Sequence, residues 1–550
     1  SDRFRRGQPR EFQWWCDEWG SGAVADVSRV IGVDCGGRST GSAPARRCRR
    51  QRRCRDVSDE ARPYRFSDSQ RPGLLLGLGA RQAIPVIAGV LFLATVLQTP
   101  IPPVVGVGGP ILGCVVAFGQ WRGAALSETL VPGTRLWVAR RCGRRRWLRP
   151  PLLGDNTDHA LPGPLRGLEL IEVPEDNTGE GAGMAVVRDR RAGTVTAVLR
   201  VHGHGFPLAS ATEQDAMLVA WSGALSPFAR ERSPVSNATW QEWAHPVGSE
   251  AHREFLASIG VESRAADPAT ADYLALVDQQ APVTVAHDIL VTVTIDQRRV
   301  RARRSATSRF AAALDALGAE VRLFADRLDA AGLTVDEALT PVELSAALRV
   351  RSDPGRAAQI ATLTRSLAAA ANRGALEWGP MVLEAERGHV RVDGTYHRSY
   401  RVAGWPQLPV GSDWLGDLLT DTRAVRTVTV VMEPVPMGRA ARAADREVMA
   451  READADMKTQ KGFRVNARER KRLADVEARE RELSQGHAEF RFVGLVDVTA
   501  AGLDALDDTC ADVEQVAAQC LLDLRPLDAR HELGWVASLP VGRGLARSAT

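Results

Sequence analysis

An uncharged stretch of 40 consecutive residues, from Gln82 to Trp121, constrains this chain more than any other feature. Asp, Glu, Lys and Arg make up 25% of the chain, yet this stretch contains none of them and no His. One membrane crossing needs roughly 20 apolar residues. The sequence QTPIPP interrupts the stretch near its middle, and its prolines favour a turn over a continuous helix. We therefore predict a transmembrane hairpin of two short helices, at about 74–97 and 104–121. The alternatives are a buried hairpin of a soluble core, a single kinked span and a signal peptide.

Arginines flank this stretch on both sides, while the connecting turn carries no charge. Positively charged flanks stay on the cytoplasmic side of a membrane. We therefore expect a multi-pass protein of the inner (plasma) membrane with both termini in the cytoplasm. The basic cluster after the stretch is expected to contact anionic lipid headgroups, and direct nucleic-acid binding by this cluster is the alternative. The predicted membrane-flanking residues are Arg81, Arg122, Arg140, Arg141, Arg144, Arg145, Arg146 and Arg149.

Two glycines, Gly109 and Gly113, form a GxxxG spacing within the second predicted crossing. Small residues at this spacing let two helix backbones approach closely. The spacing favours packing of the hairpin on itself, and oligomerisation is the second interpretation.

The N-terminal third of the chain divides into segments of different composition. Residues 1–56 carry half of the eight cysteines and many arginines without a clear helix or strand period. They are either a disordered basic tail or translated upstream sequence, with the natural start near Val57. A leader and the hairpin follow at 57–121, and a basic juxtamembrane segment at 122–153.

The remaining chain alternates strand and helix patterns, which predicts an α+β fold. We expect a first α+β unit with a helical insertion at 154–375 and a second at 376–550. The order strand, helix, strand in AEFRFVGLVDVT, AGLDALDDTCADVEQVAAQCLL and DLRPLD is typical of ferredoxin-like units, and the series from Ala192 to Ile295 has a similar rhythm. A charged helical arm is predicted at 438–486; a solvated charged face and a partner-docking arm are its two interpretations.

Three catalytic or metal-binding motifs are absent from the sequence, which contains no GxxxxGK[ST] phosphate-binding loop, no HExxH and no CxxC pair. The spacing Gly-x-Ser-x-Gly occurs at Gly37–Gly41, within residues 1–56, where no strand-then-helix pattern supports a nucleophile elbow. His202 and His204 fall on one side of a predicted strand, but no third or fourth metal ligand can be named. Asp393, His397 and Asp421 form no recognised constellation. We therefore predict no catalytic, cofactor-binding or metal-binding residue, and no enzyme activity.

Five stretches together carry a resemblance to a known family. They are the hairpin itself, RLWVARRCGRRRWLR, the block VLRVHGHGFPLASATEQDAMLVAWSGAL with VSNATWQEWAHP, RERELSQGHAEFRFVGLVDVTA, and WVASLPVGRGLA. From about Val57 onward the chain resembles an actinobacterial family of membrane proteins encoded beside conjugation-type (type IV-like) secretion genes. The family has a PrgI-like hairpin and a cytoplasmic part similar to the pre-ATPase region of the secretion ATPase.

The resemblance implies a non-catalytic structural component of a multi-subunit secretion machine that docks with a secretion ATPase encoded by another gene. It offers no catalytic motif whose residues could be carried over to this chain. Two alternatives stay open. One is a membrane subunit of a type VII-like secretion system, and the other is a membrane-tethered enzyme with an unrecognised site.

Overall fold

The structure is a computed structural model of one chain. It describes residues 80–99, 102–121, 124–149, 161–173, 183–203, 205–246, 252, 255–257, 259–261, 267–280, 285–301, 308–369, 377–420, 424–460 and 467–544. The predicted tail at 1–56, the segment 57–79, Arg122, His204 and Asp421 lie outside these residues.

Helices and strands alternate along the described chain. The helices are α1 (Ala80–Val96), α2 (Pro103–Phe118), α3 (Leu126–Arg141), α4 (Ala211–Leu225), α5 (Pro268–Gln280), α6 (Arg309–Ala330), α7 (Pro341–Ser352), α8 (Ala357–Ala369), α9 (Gly416–Thr420), α10 (Met437–Gln460), α11 (Ala467–Ser484), α12 (Leu503–Gln519) and α13 (His531–Ala537). The strands are β1 (Gln120–Trp121), β2 (Ala124–Ala125), β3 (Arg146–Leu148), β4 (Leu168–Val173), β5 (Met184–Asp189), β6 (Thr194–His202), β7 (Val235–Pro246), β8 (Val285–Asp296), β9 (Thr334–Ala338), β10 (Val382–Ala385), β11 (Val390–Val392), β12 (Thr395–Gly404), β13 (Val425–Val435), β14 (Glu489–Ala500) and β15 (Asp523–Pro526).

The uncharged stretch forms two helices, α1 and α2, that pack against each other. Helix α1 has 17 residues and α2 has 16. Among the described residues, no helix combines the length and the apolar character that a membrane crossing requires. The first six residues of the predicted first crossing, 74–79, lie outside the described part.

Thirteen of the described strands form one antiparallel sheet, which confirms the predicted α+β class. The strand order is β3-β10-β11-β12-β14-β13-β7-β8-β6-β5-β4, with β15 beside β12 and β9 beside β6. The first half of the sheet, residues 168–352, and the second half, residues 382–537, join where β7 pairs with β13. Strands from both predicted units therefore share one continuous sheet.

The two halves repeat the same order of elements. The first runs β4, β5, β6, α4, β7, α5, β8, α6, β9, α7. The second runs β10, β11, β12, α9, β13, α10 and α11, β14, α12, β15, α13. In each half the strands take equivalent places in the sheet, so that β6 and β12, for example, each have two strands along one edge.

Short sequence identities accompany this repeat. Leu290–Thr294 on β8 reads LVTVT and Leu495–Thr499 on β14 reads LVDVT. The dipeptide Arg-Val recurs at equivalent positions of β6 and β12, since Arg200 pairs with Leu290 and Arg401 pairs with Leu495. At the centre of the β7–β13 ladder, Gln241 pairs with Thr429, and an approximate twofold relation between the halves passes through this pair.

Helices cover both faces of the sheet. On one face, α4 and α6 close a core in the first half, and α9 and α12 close another in the second. In the sequence, apolar residues at steps of three and four through 306–331 predict an amphipathic helix. This stretch forms α6, whose Leu317, Phe324 and Leu328 are fully buried, which confirms the prediction. On the opposite face, α7 and α13 share one core that spans the two halves. Thr340, followed by Pro341 and an apolar stretch, predicts the start of a helix. The structure confirms it, because the Thr340 hydroxyl and Glu343 form a capping box at the start of α7.

The segment that ends each half reaches over the other half. After α7, the carbonyl oxygen of Ser352 accepts a hydrogen bond from Thr395 Oγ1 at 2.9 Å, in the second half. After α13, Arg543 Nε lies 2.7 Å from Asp189 Oδ2, in the first half. These reciprocal contacts join the halves on the α7 and α13 face.

Candidate functional site: the hairpin junction and the polar core

The basic segment after the hairpin is docked on the edge of the sheet. Arg140 Nη2 lies 2.7 Å from Glu386 Oε2. Arg145 reaches two carboxylates, with Nη2 at 2.7 Å from Glu384 Oε1 and Nη1 at 2.6 Å from Glu386 Oε1. Because these glutamates lie on β10 and just after it, the ion pairs join the end of α3 to the second half.

Backbone pairing strengthens this junction. Strand β3 pairs antiparallel with β10, and the amide of Arg149 donates to the carbonyl oxygen of Met381 at 2.9 Å. The Arg149 side chain is 6% exposed and pairs with Glu377 at 2.6 Å. Strand β3 is thus an edge strand of the described sheet.

The other predicted basic residues of this segment face outward. The Arg141 guanidinium lies 5.4 Å from the centroid of the Trp137 ring, a cation–π contact. Arg144 and Arg146 are exposed, Arg144 in the turn after α3 and Arg146 on β3. The structure therefore divides the predicted cluster into residues that contact the sheet and residues that face solvent. Arg81 lies on α1 and Arg122 lies outside the described residues.

Both predicted packing glycines lie where the two hairpin helices touch. A Cβ atom at Gly109 would fall 2.9 Å from the carbonyl oxygen of Gly89 on α1. A Cβ at Gly113 would fall 2.5 Å from the carbonyl oxygen of Pro85. Only glycine permits backbones to approach this closely, so any larger residue would separate the helices.

A buried polar cluster lies inside the second half. His397 Nδ1 is 2.9 Å from Asp497 Oδ2, and Ser399 Oγ donates to Asp497 Oδ1 at 2.6 Å. His397 Nε2 lies 3.0 Å from the carbonyl oxygen of Ser352. A nucleophilic triad needs the serine hydroxyl bonded to the histidine. Here the carboxylate lies between them and all three side chains are buried, so this arrangement serves packing between β12, β14 and α7.

A second histidine supports the same strand. His531 Nδ1 accepts a hydrogen bond from the amide of Ser399 at 3.2 Å, and the His531 side chain is fully buried. Burial, with smaller effects from Arg398 and His389, lowers the pKa of His531 to about 3. Its neutral ring is therefore the form that this core accommodates, because a proton on Nδ1 would oppose the Ser399 amide.

Another buried ion pair lies in the first half. Arg351, at the end of α7, donates to Asp288 Oδ2 at 3.0 Å and to Gln241 Oε1 at 3.2 Å. Arg200 Nε lies 3.0 Å from Asp288 Oδ1. Burial would raise the pKa of Asp288, but the two arginines outweigh it and hold that pKa below its usual value. Arg351 also lies 5.8 Å from the Trp243 ring centroid.

The structure gives the histidine candidates from the sequence different surroundings. His202 Nε2 lies 3.0 Å from Asp336 Oδ2 on β9, while its proposed partner His204 lies outside the described residues. His397 contacts Asp497 rather than Asp393, whose carboxylate accepts the backbone amides of Met381 and Val382. Among the described residues, no group of three or more His, Cys, Asp or Glu side chains is arranged to hold a metal ion.

Sequence reasoning missed the partners in these clusters. The sequence did not indicate a role for Asp497 or Asp288, because each lies within or beside an apolar strand pattern and the partners of each are distant in the chain. A usable signal was present in the repeat LVTVT and LVDVT, where Asp497 stands at the place of Thr292. A single charged residue at such a place predicts a buried partner.

No model of a known protein family and no curated protein sequence matches this chain.

Proposed function

We propose that this chain is a non-catalytic inner-membrane structural component of a conjugation-type (type IV-like) secretion machine that docks with its ATPase. The proposal joins the family resemblance of the sequence to the arrangement of hairpin and sheet. The observation that carries it is the docking of the basic segment on β10, because it makes the hairpin continuous with the body.

In this proposal, α1 and α2 are the membrane anchor. Their outward side chains are large, apolar and mostly exposed, and a lipid environment would cover them. Examples are Ile84, Leu91, Ile111, Leu112 and Phe118, which are between 56% and 65% exposed. At 1.5 Å per residue the 17 residues of α1 span roughly 25 Å, so a bilayer would thin locally around them.

The position of the arginines agrees with a cytoplasmic body. Helix α3 ends in Arg140 and Arg141, next to the exposed Arg144 and Arg146. With the hairpin in the membrane, these residues lie at the inner leaflet, where anionic headgroups attract them. Both termini are then cytoplasmic.

We also infer that each half of the body is a ferredoxin-like unit, and that the charged pair α10 and α11 is an arm that docks with a partner. Support for the first inference is the order β6-α4-β7-β8-α6-β9, into which α5 is inserted between β7 and β8, with β9, β6, β8 and β7 side by side in the sheet. Support for the second is the high charge of both helices and the exposure of Met449 and Met457, which are 70% and 53% exposed.

Two native cysteines test the membrane anchor. Cys114 lies on α2 and Cys142 lies just after α3, and both are exposed. In variants that keep only one of them, with the other cysteines replaced by Ala, inside-out membrane vesicles would be treated with a membrane-impermeant maleimide. We expect Cys142 to react and Cys114 to stay unlabelled until detergent is added. Equal labelling of both cysteines would place the hairpin outside the bilayer.

Co-purification tests the docking role. The tagged full-length protein would be solubilised in detergent and captured together with the ATPase encoded in the same gene cluster, with an unrelated two-helix membrane protein as control. We expect the ATPase only with this chain. If the purified chain hydrolysed ATP without that partner, the structural role would be wrong.

A further inference from the structure

A cleft of about 660 Å³ opens at one end of the sheet, where β7 begins and β13 ends. The loop before β7, the residues that follow β8, part of α6, the end of β13, the first turn of α10 and the start of β14 form its walls. Ser233, Ser236 and Val435 belong to its lining. This cleft is remote in sequence from the hairpin and takes no part in the docking of the basic segment.

Six arginines and three glutamates line the cleft. The arginines are all exposed; they are Arg230, Arg232, Arg299, Arg301, Arg439 and Arg491. The cleft therefore has an excess of positive charge.

Two of the glutamates already have partners. Glu320 is paired with Arg230, and Glu231 Oε1 accepts the backbone amide of Gly438 at 2.5 Å, at the start of α10. The third, Glu433, lies opposite Arg491 across the β13–β14 ladder. Two of the three carboxylates thus have partners other than Arg232, Arg299, Arg301 and Arg439.

Three arginines stay available for a ligand. Within the part of the chain that the structure describes, Arg232, Arg301 and Arg439 form no ion pair with a carboxylate. This distinguishes the cleft from the hairpin junction, where Arg140 and Arg145 are each paired with glutamates on the sheet.

The sequence beside the cleft adds to this charge. Arg298, next to the lining residue Arg299, is exposed as well. A basic surface of this extent exceeds what one phosphate or carboxylate requires, and it suits a ligand with many negative charges.

We propose that this cleft binds the phosphodiester backbone of a nucleic acid without regard to base sequence. A guanidinium presents a planar fork that matches a phosphate with two hydrogen bonds. The cleft lining includes no aromatic side chain on which a base could stack. Contacts to phosphates alone position a nucleic acid but carry no base information. The proposal is independent of the secretion role and of the membrane anchor.

The test is fluorescence anisotropy of a short labelled DNA duplex with the full-length protein in detergent, over a series of salt concentrations. The cleft variant carries Arg232→Ser, Arg301→Ser and Arg439→Ser. The matched control carries Arg190→Ser, Arg387→Ser and Arg525→Ser, which remove the same charge from exposed sites elsewhere. We expect the cleft variant to bind at least about tenfold more weakly, with a salt slope smaller by about 0.9 per lost phosphate contact. The control should stay close to the unmodified protein.

Three outcomes would overturn the proposal. The first is an equal loss in the cleft variant and the control. The second is a loss caused instead by Arg144→Ser with Arg146→Ser, which would assign DNA binding to the juxtamembrane segment. The third is binding of a polyglutamate peptide as tightly as DNA, which would indicate an acidic protein segment as the ligand. Unchanged circular dichroism of all variants shows that folding is not the cause.

Discussion

The two halves of the sheet place different chemistry at equivalent positions. In the first half, Thr196 and Thr294 pair across β6 and β8, and their hydroxyls lie 3.0 Å apart. In the second half, His397 and Thr499 take these places on β12 and β14. The neighbouring position holds Thr292 in the first half and Asp497 in the second. One fold thus accepts either small hydroxyls or a buried histidine–carboxylate pair on its α7 and α13 face, provided that each polar group has a partner.

What covers these positions also differs. Over the threonines lies Gly542, whose missing side chain leaves room for both hydroxyls. Over the His397 cluster lies the end of α7, whose Ser352 carbonyl accepts from the histidine. The comparison shows that side chains on the sheet and the segment that covers them are matched as sets, so exchanging one member alone should be costly.

The largest effect is expected from His397→Thr, which imports the first-half residue into the second half. It leaves Asp497 buried without its histidine, and breaking a buried pair costs about 3–5 kcal/mol. Adding Asp497→Thr completes the exchange, and we expect the double variant to lose less than about 2 kcal/mol. Urea unfolding followed by tryptophan fluorescence measures both, with Trp535 6.2 Å from the His397 ring as a local reporter. A double variant less stable than the single one would contradict the matched-set interpretation.

A second prediction concerns the cover of the first half. Gly542 has a φ of +70°, and a Cβ atom there would overlap the hydroxyls of Thr196 and Thr294. We expect Gly542→Ala to lower the unfolding free energy by about 2–4 kcal/mol through strain and overpacking. The control is Gly544→Ala, whose added atom would lie 3.4 Å from Val431 Cγ1, an ordinary contact. Equal thermal unfolding of the two variants would show that the cover is not tight.

A third prediction uses pH. The pKa of His531 is lowered from 6.5 to about 3 by burial, so the unfolded state binds the proton first as pH falls. The stabilisation that neutral His531 provides is fully present at pH values above 6.5, its pKa in the unfolded chain. It is lost progressively as the pH falls below that value. We expect a loss of about 2 kcal/mol between about pH 7 and pH 5. The first half has Val342 at the equivalent place, but burial also lowers the pKa of His245 on β7 to about 4, so the first half contributes a loss of its own over this range.

The matched variant for this prediction is His531→Asn. Its amide oxygen can accept the Ser399 amide without titrating in this range. We expect its stability to fall less between the same two pH values, as measured by urea unfolding. The same pH dependence in the variant would assign the effect to another group.

The smallest effect is expected at the helices that end the halves. Thr340 caps α7 together with Glu343. Helix α13 has Glu532 in the place of Glu343 but has no side-chain cap. Thr340→Ala should cost about 1 kcal/mol. Ser210→Ala, which removes the capping box of α4, is a matched control of similar cost. Thermal unfolding of each variant, compared with the unmodified protein, measures the stability lost with each cap.

Local patterns in the sequence were sufficient for much of the fold. The period of Leu317, Phe324 and Leu328 predicted α6, and the chemistry of Thr340 predicted the start of α7. The pair Asp393–Gly394 between two strand patterns also predicts a turn, and Asp393 has the positive φ of 48° that such turns require. These features depend on residues close together in the chain.

Features that depend on distant residues were not predictable from these patterns. The pairing of β7 with β13 joins residues such as Gln241 and Thr429, and the sequence of neither strand indicates which strand pairs with it. Arg145 and Glu384 form an ion pair although 239 positions separate them in the sequence. The local sequence around the juxtamembrane arginines therefore indicates only a lipid-facing cluster. The cleft was missed for the same reason, since its arginines come from four separate segments.

The reach of the last residues across the sheet has a consequence for synthesis of the chain. Gln241 Nε2 donates to the carbonyl oxygen of Leu539 at 3.0 Å, and Arg543 contacts Asp189 at 2.7 Å. Chains emerge from the ribosome N-terminal end first, at about 5–20 residues per second. Nearly 300 codons separate Gln241 from Leu539, so the threonines of the first half stay uncovered until the ribosome has synthesised the segment from Leu539 to Arg543.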